Sequence, residues 1–310
     1  ALPAVYLLLS MPMKAAARRW SQAALPVALL TLGLVAMRDL PDYFVRWPQH
    51  SMVRFLYRAD YRALAEYVDA HPEIDDVSVG SFLAGPWDKV AFQTDVRRLD
   101  VSARWVNPAR ALVSDDGAMR FYTQEEIDPH PEAAALLNEA IAAPAGMLGY
   151  RVTQPAPPAD ALTQDIEARR LADQPYGDAL ALDAVRWSDA PTPGATIQAT
   201  VWWRVIAPLP LPEEQLHPHP PPPDVYNGPR LKVFAHLLGT DGAPVAIDDG
   251  LWVDPYSLDV GDQFVQWHRF TTPENASGPL TLSIGLYDPL TGERWVIPAT
   301  GTDRIVVAVE

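Results

Sequence analysis

Trp20–Met37, WSQAALPVALLTLGLVAM, carries no charge and is flanked by Lys14, Arg18 and Arg19 on one side and by Arg38 and Asp39 on the other. Eighteen residues at a helical rise of about 1.5 Å reach roughly 27 Å, close to the thickness of a bilayer core. The stretch therefore predicts one transmembrane helix, with a buried helix of a water-soluble protein as the competing reading. The basic cluster before it places its N-terminal side in the cytoplasm by the positive-inside rule, which puts residues after about 38 outside the cytoplasm, at the cell membrane. Trp20 at one end and Tyr43, Phe44 and Trp47 beyond the other suit the two interfaces.

A second apolar run, Ala1–Met13, is too short to span. It reads either as the end of an earlier membrane helix in a longer protein or as sequence ahead of a start at Met11 or Met13, which would make the chain a signal-anchored protein. The membrane region is thus expected over residues 1–38, with a juxtamembrane segment at 39–59.

Composition narrows the function classes. The chain has no cysteine, so disulfides and thiolate metal sites are excluded. A net charge of -15 argues against a nucleic-acid partner, because phosphate binding needs a basic face. With 32 prolines and ten tryptophans, the part beyond the apolar stretch reads as loop-rich and largely β. Its roughly 270 residues are enough for two domains.

In residues 60–150, Tyr61, Leu64, Ala65 and Val68 recur on one face of a helix that ends at His71-Pro72. Val77–Val79 and Leu99–Trp105 read as strands. Ala111–Val113, the turn Ser114–Gly117 and Met119–Tyr122 read as strand, turn and strand, and Pro131–Ala142 as a helix. Helices alternating with short strands predict a small α/β domain. Residues 151–179 read as a Pro-rich linker.

From residue 180 onward, short apolar, β-branched and aromatic runs punctuated by Pro and Gly predict an antiparallel β-sandwich over 180–310. In Thr196–Val205 the alternation puts Ile197, Ala199, Val201 and Trp203 on one face and Trp202 on the other. Residues 206–229 form a long proline-rich excursion suited to an extended polyproline conformation. The expected fold class is a membrane-anchored multi-domain chain: transmembrane helix, small α/β domain, then antiparallel β-sandwich.

No phosphate loop and no HExxH or GxSxG motif is present. His217 and His219 stand in a proline-rich stretch, where solvated side chains are expected. Asp115, Asp116 and Gly117 suit a turn, and Asn275–Ser277 fits a glycosylation sequon. Sugars stack on exposed aromatic faces beside carboxylates, which singles out Trp202, Trp252, Asp248 and Asp249 as candidate carbohydrate-binding residues. Core packing is the alternative role for the tryptophans and turn formation for the aspartates. No catalytic, cofactor or metal residue is assigned.

The phrases YFVRWPQHSMVRFLYRADYRALAEYVDAHPEIDDVSV, RRLDVSARWVNPARALVSDDGAMRFY, VFAHLLGTDGAPVAIDDG and LTLSIGLYDPLTGERW resemble the C-terminal part of bacterial polytopic glycosyltransferases similar to family 39, the relatives of protein O-mannosyltransferases and aminoarabinose transferases, Chloroflexus-like examples above all. The resemblance implies the extracytoplasmic C-terminal region of a membrane glycosyltransferase that uses polyprenyl-phosphate-linked sugar, with a glycan or protein acceptor and the lipid bilayer as partners. The family's catalytic acidic residue lies in a loop with no counterpart in this chain, so no catalytic residue transfers. The alternative is a signal-anchored surface protein whose sandwich binds carbohydrate or a protein partner.

Overall fold

The computed structural model describes residues 21–82, 86–115, 118–153, 174–188, 190–215, 226, 228–274 and 278–309. The basic cluster Lys14–Arg19, the run Ala1–Met13, Asp116-Gly117, most of the 151–179 linker, His217, His219 and the sequon lie outside them. The chain divides into two units, one up to Tyr57 and one from Arg58 to Glu310.

In the first unit α1 (Ser21–Pro41) covers the apolar stretch, a π-helical turn follows over Asp42–Arg46, and a 3-10 turn (Trp47–Gln49) leads into α2 (Ser51–Leu56). Among the described residues no helix is long and apolar enough to cross a membrane, which corrects the membrane-anchored fold expected from Trp20–Met37. Polar residues bound the apolar run on both sides: Ser21 and Gln22 open α1, and Arg38 and Asp39 lie inside its last turns. The run between them, Ala23–Met37, rises only about 22 Å, short of a core of roughly 30 Å. Pro26 further removes a backbone donor from its first turns.

The second unit opens with α3 (Ala59–Ala70), which buries Tyr61, Leu64, Ala65 and Val68, the face the periodicity marks. It packs with β1 (Asp76–Gly80), α4 (Pro86–Asp95) and β2 (Ser102–Val106) around Phe92 and Trp105. β1 pairs in parallel with β2, a pairing that needs a crossover, and α4 supplies it. β4 (Ala118–Gln124) lies parallel to β1 on its other side, and β6 (Met147–Thr153) and β5 (Leu137–Ile141) extend the sheet antiparallel, giving the order β2-β1-β4-β6-β5.

Two local expectations fail here. β3 (Ala111–Ser114) does not form a hairpin with β4; it pairs antiparallel with β11 (Gln263–Thr271) in a different sheet. The helix expected over Pro131–Ala142 is a 3-10 turn, Pro131–Ala135, followed by β5. Glu132 explains the break. Its carboxylate accepts from Gln198 Nε2 at 2.7 Å, Arg186 Nη2 at 2.8 Å, and Thr200 Oγ1 and Trp267 Nε1 at 3.3 Å. These bonds hold the turn against a neighbouring sheet, and pairing with β6 then outweighs the helix propensity of the alanines.

The remaining strands are β7 (Leu180–Trp187), β8 (Thr196–Val205), β9 (Lys232–Leu238), β10 (Pro244–Ile247), β12 (Thr281–Tyr287) and β13 (Ile305–Ala308). They form two four-stranded antiparallel sheets, β3-β11-β8-β7 and β10-β9-β12-β13, over one shared core. Ile197, Ala199, Val201 and Trp203 enter that core as alternation predicts, and Leu282, Ile284 and Leu286, at every second position of β12, enter it too. Because β3 comes from the α/β segment, the two halves of this unit share a sheet. The 252–254 segment adds a second join: Asn107 N donates to Trp252 O and Asp254 N to Trp105 O, along β2.

Candidate functional site

Each of the four residues marked for carbohydrate already has partners within the protein. Trp202 is 7% exposed, with the Arg186 guanidinium 5.7 Å from its ring. The Trp252 ring lies under Arg110 at 3.8 Å and beside His268 at 4.9 Å, and its other neighbour is the Gly250 backbone, where a Cβ would come within 2.7 Å of the indole. Asp248 accepts from Arg110 Nη2 at 2.5 Å and Arg269 N at 2.7 Å, and burial lifts its pKa above the ordinary carboxylate value. Asp249 accepts from Ala235 N at 3.0 Å and pairs with His236. Asp248, Asp249 and Trp252 thus join the loop after β10 to β9, β11 and Arg110.

A different constellation gathers where α4 meets the 3-10 turn Pro255–Ser257 and the proline-rich segment after β8. Pro86 opens α4 at a first-turn position, where its missing N–H costs nothing. Lys89, one turn in, is 7% exposed. Its ammonium donates to Glu214 Oε2 at 2.7 Å, Glu214 Oε1 at 2.9 Å and Asp254 Oδ2 at 2.8 Å. Asp254 is fixed independently: its Oδ1 accepts from Tyr256 N at 3.1 Å and caps the turn, and its carbonyl accepts from Ser257 Oγ. Burial opposes the Lys89 charge, but Asp254 and Glu214 outweigh it and lift the lysine above its ordinary value. Burial likewise raises Asp254, against the pull of Lys89. One cation serves two carboxylates, so the triad carries net negative charge.

Beside the triad lies a small hollow of about 40 Å³, lined by Glu213, Glu214, Gln215, Tyr226, Arg230 and Tyr256 among others. Arg230 Nε donates to Asp288 Oδ1 at 2.9 Å and Oδ2 at 3.0 Å, and the guanidinium holds the Asp288 carboxyl below its usual value. Asp288 in turn builds the turn after β12, accepting from Leu290 N at 2.8 Å. The site therefore combines fixed carboxylates, a fixed guanidinium, an amide and two phenol rings.

Sequence reasoning missed this group. Lys89, Glu214, Arg230 and Asp254 form no local motif. One signal was available: Lys89 is one of three lysines in the chain, placed among the apolar residues of α4.

No protein-family model and no curated protein matches the chain. The fold defines the class: an open α/β sheet whose chain segment lends one strand, β3, to an antiparallel β-sandwich.

Proposed function

We propose that the chain is a carbohydrate-handling module whose binding site is the hollow beside Lys89, Glu214 and Asp254. One observation carries the reading: the hollow is lined by hydrogen-bond acceptors (Glu213, Glu214), an amide (Gln215), a guanidinium (Arg230) and two tyrosines (Tyr226, Tyr256). A sugar ring presents hydroxyls that both donate and accept, together with apolar C–H faces, and needs this mixture of fixed polar groups and aromatic walls. The excess of carboxylates disfavours phosphate, so the sugar portion of a ligand fits better than a phosphate-bearing portion.

The resemblance to family 39 glycosyltransferases supports the same chemistry. In that setting the module would hold the sugar of a polyprenyl-phosphate donor or of a glycan acceptor, and the cysteine-free composition suits an extracytoplasmic location. A glycan array followed by titration calorimetry on the full chain tests the reading. Binding is expected, with at least tenfold loss in Tyr256→Ala and Glu213→Ala and no change in Trp252→Ala. Absence of binding to any neutral glycan refutes it.

A further inference from the structure

Resting on that reading, we infer that the site continues past Arg230 into a second sugar subsite built on Trp295, so that the module takes an oligosaccharide chain. A second hollow, of about 500 Å³, is lined by Pro210, Leu211, Pro212, Arg230, Asp288, Thr291, Glu293 and Trp295. Arg230 lines both hollows, so the two are neighbours across a single ion pair.

The walls of the second hollow are held in place. Trp295 N donates to Leu286 O at 2.9 Å, which anchors the residue beside β12. One side of its ring rests on the Gly177 backbone, where φ is +53° and a Cβ would come within 3.2 Å of the indole. The ring is half-buried and contributes to the hollow. Leu209 and Leu211 pack against the sandwich core, and Leu211 N donates to Leu209 O at 2.8 Å, which fixes the proline-rich wall. Thr291 and Glu293 come from the turn that Asp288 organises, so the Arg230–Asp288 pair sets the geometry of both hollows.

Both hollows are lined by polar groups, and the second adds the indole of Trp295. A sugar in the first is held mainly by hydrogen bonds, and the next residue of the chain stacks on Trp295. Chain length therefore sets affinity, with Trp295 responsible for the gain.

Titration calorimetry with mannose, mannobiose and mannotriose, and with glucose, maltose and maltotriose, tests this on the full-length chain. The expected result is a gain of about tenfold from monosaccharide to trisaccharide in at least one series, a stacking-sized effect. Trp295→Ala should abolish that gain while leaving monosaccharide affinity unchanged. Thr291→Arg, which fills the second hollow from an exposed turn, keeps the test decisive if Trp295→Ala unfolds. Equal affinity for mono- and trisaccharide, or a chain-length gain that survives both substitutions, overturns the second subsite and leaves the first standing. Failure of every sugar in both series overturns the two together.

Discussion

Replacing Lys89 by Met should be the most damaging single change at the site. Met matches the length of the lysine stem and keeps its packing, so the substitution removes the charge with little loss of volume. It leaves Asp254, with a side chain 6% exposed, and Glu214, 27% exposed, facing each other with no cation between them. Three charge-assisted hydrogen bonds are lost. Removing one partner of a buried ion pair costs about 3–5 kcal/mol, mainly because the orphaned charge stays desolvated. Glu214 is partly hydrated, so about 3 kcal/mol is the expected destabilisation at pH 7. Glu214→Gln should cost about 1 kcal/mol or less, because Lys89 and Asp254 remain a matched pair. The penalty of Lys89→Met should shrink toward pH 4, where protonation of the unpaired carboxylates relieves their repulsion. Urea unfolding followed by tryptophan fluorescence measures all three. A cost below 1 kcal/mol for Lys89→Met at pH 7, or a penalty that does not fall with acid, would refute the triad as a desolvated charge centre.

Other expectations follow from the same contacts. Asp76, beside the buried Arg104, has its pKa pushed up to about 6, chiefly by burial and against the pull of that arginine. Its folded pKa exceeds the unfolded value, so its contribution is fully present below about pH 4 and is lost as pH rises through 6. Asp76→Asn should flatten the fall in stability over that window by about 1 kcal/mol once solvent screening of this partly exposed group is allowed for, read from urea midpoints at several pH values. Arg110→Ala uncovers Trp252 and leaves Asp248 short of its cation; a loss of about 2 kcal/mol and increased acrylamide quenching of tryptophan emission are expected. His268 is fully buried with its pKa lowered to about 3 by desolvation, so its NMR titration should show no inflection between pH 5 and 8.

The elements legible in the sequence are those whose periodicity is local. Tyr61, Leu64, Ala65 and Val68 mark α3, and alternation marks β8 and β12, because each buries one face whatever else the chain does. β3 was legible as a strand but not in its pairing, since its partner β11 lies about 150 residues away. Trp202 shows the limit of alternation: it sits on the opposite register from Val201 and Trp203 yet is buried in the same core cluster, with the Arg186 guanidinium, held by Glu132, near its ring. The site itself was not legible. Lys89 meets Glu214 and Asp254 from 125 and 165 residues away, and no spacing rule reaches that far. The apolar stretch that predicted a membrane span is a real helix, but polar residues at both ends leave its apolar length short of a bilayer.

The carbohydrate reading is tested most directly by mapping amide and indole NMR shifts of the full-length chain during titration with mannotriose and maltotriose. The account predicts perturbations confined to Glu213–Gln215, Tyr226, Gly228–Arg230, Tyr256 and the turn from Leu290 to Trp295. Shifts centred on Trp252, Asp248 and Asp249 instead, or no shifts at millimolar sugar, would contradict it.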